Sequence, residues 1–170
     1  MSSEPARRLF FALWPDDLER GALAHAVRKA VRASGGRPVP EANLHLTLTF
    51  LGAVPEARVP GLSAIGRRVA AAFPDVAIPL ALTLQGFAHW GQSQVLTVLV
   101  REEPGAPPPG NVLLLARTLA HEAAQAGFNP DLKPFRVHVT VARKVARAPR
   151  SSEMRKVQWS FDAFALIESR

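Results

Sequence analysis

Two segments of the chain carry a histidine and a threonine in the same pattern, apolar–His–apolar–Thr–apolar. The segment LHLTL contains His45 and Thr47, and the segment VHVTV contains His138 and Thr140. Both segments are apolar enough to form β-strands. Successive side chains of a strand point to opposite faces, so each histidine shares a face with its threonine, about 6–7 Å away along the strand. The sequence therefore predicts two His–Thr pairs on strand surfaces.

The same alternation assigns the next residues of each segment to a face. It predicts that Thr49 lies on the face of the first His–Thr pair and that Ala142 lies on the face of the second. Phe50 falls in the opposite row, which is apolar and is expected to be buried.

Three interpretations of the His–Thr pairs compete. A histidine in an apolar strand is often a half-buried packing residue, but two copies of one pattern make packing alone a weaker explanation. Imidazole is also a common metal ligand. However, the sequence contains no H-x-H or H-E-x-x-H motif, and no carboxylate shares a face with either histidine. We therefore expect no metal site.

The third interpretation is acid–base chemistry on a phosphate. Two imidazoles on facing strands can act as general acid and general base because their pKa values lie near neutral pH. Each threonine hydroxyl can donate a hydrogen bond to a phosphate oxygen. The chain has no cysteine, no phosphate-binding P-loop and no G-x-S-x-G motif, since GLSAIG has a different spacing. The attacking group would then be water or a substrate hydroxyl.

Length and composition indicate the number of domains, the type of partner and the location of the protein. The 170 residues are expected to form one domain spanning residues 1–170. The 21 Lys and Arg against 14 Asp and Glu give a net charge of +7, which fits a polyanionic partner but is also common without one. The apolar run at Leu9–Trp14 is too short for a signal peptide or a membrane span, so we expect a cytoplasmic protein without a membrane partner.

The surrounding patterns predict the order β-α-β-α-β-β-α-β-β, which favours an α+β fold with antiparallel or mixed sheets. Asp16 and Glu19 form a capping-box pattern at the start of the first helix, and Gly127 closes the third. Histidines outside the two motifs are interpreted as surface residues on helices or in a loop: His25, His89 and His121. The predicted strands cover residues 8–14, 43–52, 76–88, 94–101, 135–142 and 157–167, the later helices cover 59–73 and 111–126, and the predicted loops include 89–93 and 102–110.

Three segments together resemble a known family. They are RLFFAL at 8–13, NLHLTLTFLG at 43–52 and PFRVHVTVAR at 134–143. In order and spacing the chain resembles the two-histidine (2H) phosphoesterases, and within them the LigT-like RNA 2′,3′-cyclic phosphodiesterases. Either H-x-T motif alone would be weak evidence, whereas the pair with its flanking residues is specific.

The resemblance implies a bilobal α+β fold, with two pseudo-twofold-related lobes of antiparallel sheet and outer helices around a central cleft. It implies hydrolysis of a terminal RNA 2′,3′-cyclic phosphate to a 2′-phosphomonoester without metal or cofactor. We expect the protein to be a monomer. Some members also join RNA ends through a 2′-5′ bond. Two alternatives remain open: a small substrate such as ADP-ribose 1″,2″-cyclic phosphate, and a non-catalytic module that binds RNA phosphates.

The resemblance also implies roles for individual residues. His45 would donate a proton to the leaving 3′ oxygen and His138 would accept one from water, a division that the near-symmetric motifs do not themselves reveal. Thr47 and Thr140 would hold phosphate oxygens. Arg143 follows the second motif and would clamp the phosphate or the RNA backbone. The aromatic residues proposed to stack on bases are Trp90 and Phe135. Thr97 occupies a position where relatives often have Trp, which suggests a lost stacking surface.

Overall fold

The computed structural model describes residues 4–72, 80–100 and 110–169. Within these ranges, eight strands and three α-helices alternate along the chain. They are β1 (Ala6–Leu13), α1 (Asp17–Ser34), β2 (Arg37–Pro38), β3 (Leu46–Pro55), α2 (Val59–Ala72), β4 (Leu80–Trp90), β5 (Val95–Val100), α3 (Gly110–Gln125), β6 (His138–Arg143), β7 (Val157–Phe161) and β8 (Ala165–Glu168).

The strands form two antiparallel sheets, which confirms the α+β prediction. One sheet has the order β3-β1-β8, and the other has the order β2-β6-β5-β4-β7. Helices α2 and α3 pack together, α2 against β8 and α3 against β3, so they belong with the smaller sheet, which we call the first lobe. Helix α1 packs against β6 and β7 of the larger sheet, the second lobe.

The predicted start of α1 is confirmed. The Asp16 side chain accepts a hydrogen bond from the backbone N–H of Glu19 at 2.8 Å, and the Glu19 carboxylate accepts one from the N–H of Asp16. Glu19 also fixes the helix to β7, because its carbonyl oxygen accepts a bond from the indole N–H of Trp159 at 2.9 Å. The helix ends at Gly35, whose φ of 67° is the left-handed conformation that glycine adopts without a steric penalty.

The predicted last strand, residues 157–167, is wrong in its extent. The chain bends at Asp162, so this stretch forms two strands that belong to different sheets. β7 pairs with β4 in the second lobe, whereas β8 returns to pair with β1 in the first. Apolar periodicity reports which residues are buried but not which neighbouring strand they pair with, and it therefore did not reveal the crossing.

The predicted loop at residues 89–93 is also wrong at its start, because β4 runs through Trp90 and the turn covers residues 91–94. His89 is a half-buried strand residue, not a surface loop residue, and its Nε2–H donates a hydrogen bond to the carbonyl of Val145 at 2.8 Å. The predicted third helix and its closure by Gly127 are confirmed, with φ of 78° at the glycine. Parts of four other predictions lie outside the described residues, at positions 73, 76–79, 101 and 102–109.

Candidate active site

The two H-x-T motifs lie at the start of two strands that face each other across the lobes. His45 immediately precedes β3 of the first lobe, and His138 is the first residue of β6 of the second. β3 and β6 are in contact although they belong to different sheets. The fold thus brings together two motifs that are far apart in the sequence.

Both histidines are held in the same way. Nδ1 of His45 lies 2.7 Å from the carbonyl oxygen of Asn43, and Nδ1 of His138 lies 2.6 Å from that of Arg136. A carbonyl can only accept a hydrogen bond, so each Nδ1 must carry a proton and donate it. Each ring therefore leaves Nε2 for chemistry, as an acceptor when the imidazole is neutral and as a donor when it is protonated.

A β-bulge directly follows the threonine of the second motif. Thr140 is opposite Thr97 of β5, but Ala142 is opposite Leu96, so Val141 is an extra residue in β6. The extra residue reverses the alternation. Ala142 consequently faces the core and is fully buried, which corrects the prediction that it lies with His138 and Thr140.

The same bulge turns Arg143 toward the His138 face. Arg143 is opposite Val95, and Val95 is opposite Trp90, so these three side chains share one face of the sheet. Simple alternation from His138 would have placed Arg143 on the opposite face. Thr97, which is opposite Thr140, lies on the same face as His138, and its fully buried hydroxyl donates a hydrogen bond to the carbonyl of Ala88 at 3.1 Å.

An equivalent bulge follows the threonine of the first motif. Thr47 is opposite Ala12 of β1 and Thr49 is opposite Phe11, so Leu48 is the extra residue. The prediction that Thr49 shares the face of the first pair is therefore wrong. Its side chain is buried, and its hydroxyl donates a hydrogen bond to the carbonyl of Ala116 in α3 at 3.0 Å. Phe50 moves to the opposite face for the same reason.

Aromatic rings pack against both histidines. His45 stacks on Trp14, with ring centroids 5.1 Å apart and planes 7° from parallel, and its centroid lies 5.0 Å from that of Phe10. The Trp90 and His138 centroids are 4.4 Å apart, with the planes tilted by 58°. The Trp90 indole N–H is buried and has no hydrogen-bond partner within the described part of the chain.

The environment lowers the pKa of both histidines below the ordinary value of 6.5. For His45 the largest cause is burial; the hydrogen bond to Asn43 raises its pKa, and the positive charges of Arg143 and His138 lower it. For His138 burial is again the largest cause, opposed by the hydrogen bond to Arg136 and supported by the charge of that arginine. Both imidazoles are therefore mostly neutral at pH 7 in the free protein, in a site that favours an anion.

One family of enzymes matches half of the chain. The family model described as LigT like Phosphoesterase matches residues 15–99, which include the first motif. The chain is also 33% identical over 166 residues to the RNA 2′,3′-cyclic phosphodiesterase of Thermus thermophilus, covering 95% of this chain and 81% of that protein. The chain belongs to the LigT-like phosphoesterase family.

Two further relatives match this LigT-like phosphoesterase over a range that includes its second motif. The RNA 2′,3′-cyclic phosphodiesterase of Escherichia coli is 34% identical over 146 residues, covering 86% of this chain and 76% of that protein. The crystal structure of E. coli LigT complexed with 3′-AMP superimposes with a TM-score of 0.70 at 27% identity, covering 98% of this chain and 97% of that one. The bilobal fold is therefore that of the family.

The space between the lobes of this LigT-like phosphoesterase is a cleft of about 920 Å³. Four of the predicted site residues line it: Thr47, Trp90, Phe135 and His138. The other three, His45, Thr140 and Arg143, are not among its lining residues, although the charge of Arg143 acts on His45. Within the described ranges, no cluster of three or more His, Cys, Asp or Glu side chains could hold a metal ion, and no helix is long and apolar enough to cross a membrane.

Sequence reasoning missed the residues that pack around the histidines. Phe10 and Trp14 were assigned only to a strand, yet their spacing of four residues already places them on one face of it. Phe50, which lines the cleft and stacks on Phe10, was missed because the bulge at Leu48 is invisible in the sequence pattern. Arg136 gave no signal beyond its place two residues before His138.

Proposed function

We propose that this LigT-like phosphoesterase hydrolyses a terminal RNA 2′,3′-cyclic phosphate to a 2′-phosphomonoester by metal-independent acid–base catalysis. The observation that carries the proposal is the matched pair of imidazoles, each donating Nδ1–H to a carbonyl and leaving Nε2 for proton transfer. The names of the relatives in T. thermophilus and E. coli support the substrate class.

In the proposed reaction, a water molecule attacks the phosphorus atom opposite the 3′ oxygen. His138 Nε2 accepts the proton of the water as the new P–O bond forms. His45 Nε2–H donates a proton to the 3′ oxygen as the P–O3′ bond breaks, which leaves a 2′-phosphate and a free 3′-hydroxyl. Because the pKa of His45 is lowered in the free protein, the anionic substrate would assist by favouring its protonated form.

The remaining predicted residues would bind the phosphate and the base. Thr47 and Thr140 would donate hydroxyl hydrogen bonds to the non-bridging oxygens, where negative charge grows in the transition state. Arg143 would pair with the same charge from the second lobe. Phe135 and Trp90 would stack on the terminal base, since both line the cleft.

The direct test is hydrolysis of an oligoribonucleotide that ends in a 2′,3′-cyclic phosphate, in excess EDTA. We expect turnover and a 2′-phosphate product, identified by its resistance to enzymes that remove only 3′-phosphates. Loss of turnover on chelation, or a 3′-phosphate product, contradicts the proposal. Adding an RNA with a 5′-hydroxyl in the same assay tests the 2′-5′ ligation that the family resemblance implies for some members.

Substitution separates catalysis from binding. His45→Asn and His138→Asn should each lower kcat by about 10²–10⁴-fold without loss of RNA binding. His25→Asn, on the exposed face of α1, is the matched control and should retain the wild-type rate. RNA binding without turnover by the wild type would favour the non-catalytic module, and turnover confined to ADP-ribose 1″,2″-cyclic phosphate would favour a small-nucleotide substrate.

A further inference from the structure

Most of the residues that line the cleft lie outside the two H-x-T motifs. One stripe of α3 lines it with three small side chains: Ala116, Ala120 and Ala124. Arg117 and His121 flank this stripe and also line the cleft. They are four residues apart on one face of the helix and are therefore neighbours.

The segment that leads into β6 also lines the cleft. Lys133 and Arg136 supply its positive charge, and Asp131 supplies a single carboxylate. One oxygen of Asp131 accepts a hydrogen bond from the backbone N–H of Lys133 at 3.0 Å. This part of the cleft therefore has more cationic than anionic side chains.

Two of these cations are distinct from the reaction centre. Arg136 is close to it, since its carbonyl binds His138 and its guanidinium lies 5.9 Å from the centre of the Trp90 ring. Arg117 and Lys133 make neither contact, and within the described residues neither forms an ion pair. Both are exposed cations on the walls of one cleft.

The cleft is also large for a single small ligand. Its volume of about 920 Å³ is near the top of the range of roughly 300–1,000 Å³ that holds a drug-sized ligand. A nucleoside cyclic phosphate is a small ligand with one charged phosphate, and Thr47 and His138, which line the cleft, would bind that phosphate. The remaining volume and charge fit a second anionic group joined to the first.

We propose that Arg117 and Lys133 bind the internucleotide phosphate that precedes the terminal cyclic phosphate. The preferred substrate is then an RNA end of at least two nucleotides, not a mononucleotide. This inference rests on the proposed function, because it places the cyclic phosphate between the two H-x-T motifs. It adds a binding subsite with its own residues on α3 and on the segment before β6.

The test compares adenosine 2′,3′-cyclic phosphate with the dinucleotide ApA that carries the same cyclic end. We expect the wild type to prefer the dinucleotide by at least tenfold in kcat/KM, mainly through KM. Arg117→Gln and Lys133→Gln should each remove about tenfold of this preference, and the loss should be confined to substrates with an internucleotide phosphate. Each substitution should also reduce the slope of log KM against log salt by about 0.7.

Two controls sharpen the result. A dinucleotide whose internucleotide linkage is an uncharged methylphosphonate should behave in the wild type as the natural dinucleotide does in the variants. Arg67→Gln removes an exposed arginine from α2, outside the cleft lining, and should change neither substrate. Equal kcat/KM for the two substrates, or equal losses on both in the variants, would overturn the inference.

A binding measurement tests the subsite independently of the proposed hydrolysis. Binding of ApA with a terminal 2′-phosphate, measured by calorimetry, reports the subsite without any turnover. Tighter binding of this dinucleotide than of 2′-AMP, lost in Arg117→Gln and Lys133→Gln, supports the subsite even where hydrolysis is absent. Binding that is equal for the two ligands overturns it, whatever the hydrolysis assay shows.

Discussion

The imidazole of His45 stacks on the indole of Trp14, with ring centroids 5.1 Å apart and planes only 7° from parallel. The contact holds one side of the ring while the Nδ1–H bond to Asn43 fixes its rotation. Trp14 therefore both orients the imidazole and keeps water from one of its faces. Since burial is the largest cause of the lowered pKa of His45, the stacking also bears on its protonation.

Removing the stacked indole of Trp14 should change both the orientation and the pKa of His45. We expect Trp14→Leu to raise the pKa of His45 toward 6.5, because it exposes the imidazole to water, and to lower kcat by roughly 10–100-fold because the ring loses its orientation. Trp14→Phe keeps an aromatic face and should retain most of the rate. NMR titration of the His45 ring protons with pH measures the first effect. An unchanged titration in Trp14→Leu would show that the stacking does not shield His45.

The two histidines should also make stability depend on pH. Their pKa values are lowered in the folded state, so between those values and about 6.5 the unfolded chain binds protons that the folded protein does not. Stability is then fully present above about pH 6.5 and is lost as the pH falls through the folded values. Thermal unfolding from pH 5 to 8 should show this slope, and it should flatten in His45→Asn/His138→Asn. A double variant with the wild-type slope would assign the dependence to other groups.

The bulge at Leu48 predicts opposite outcomes for two threonines that are two residues apart. Thr47→Val removes a hydroxyl from the cleft and should lower kcat by about 10–100-fold with little change in stability. Thr49→Val removes the buried hydrogen bond to Ala116 and should cost about 1 kcal/mol of stability while retaining the rate. Denaturant unfolding and steady-state kinetics of both variants provide the comparison. Similar kinetic losses in the two variants would contradict the assigned faces.

Gly36 should tolerate no side chain, because it lies against the strand that carries Arg143. A Cβ there would clash with Cγ2 of Val145 and would stand 2.9 Å from the carbonyl oxygen of Arg143. We expect Gly36→Ala to cost about 1–3 kcal/mol and to raise KM by displacing Arg143. Gly35→Ala is the control, since nothing lies within 4 Å of its Cβ position and its cost, about 1 kcal/mol, arises only from the left-handed backbone. A KM that is equal in both variants would show that a side chain at position 36 does not displace Arg143.

The sequence was sufficient to predict the two His–Thr pairs, because they occur in a repeated pattern. His45 and His138 were found because a strand has a period of two and because the same pattern occurs twice. The α+β class and the capping box of α1 were predicted from patterns of this local kind, whereas the family and its antiparallel lobes were predicted from the resemblance of the motifs, and each is confirmed. The roles of the individual site residues remain proposals.

The predictions of side-chain faces failed where a single extra residue is inserted into a strand. A bulge reverses every face assignment after it, so Thr49 and Ala142 were placed on the wrong face and Phe50 was taken as buried. Bulged residues such as Leu48 and Val141 are ordinary strand residues in composition. Pairing over long distances was equally hidden, as the division of residues 157–167 between two sheets shows.

The return of β8 to the first lobe has a consequence for how the molecule folds. β1 lies between β3 and β8, and Leu9 is opposite Glu168, so the sheet behind the first motif is completed by a strand that follows both motifs in the chain. Neither lobe is a contiguous stretch that could form early during synthesis. Such non-local pairing slows folding, and we expect both lobes to unfold in one cooperative transition. The two histidines would then gain their partners together, late in folding, and a nick between the motifs would release no active half.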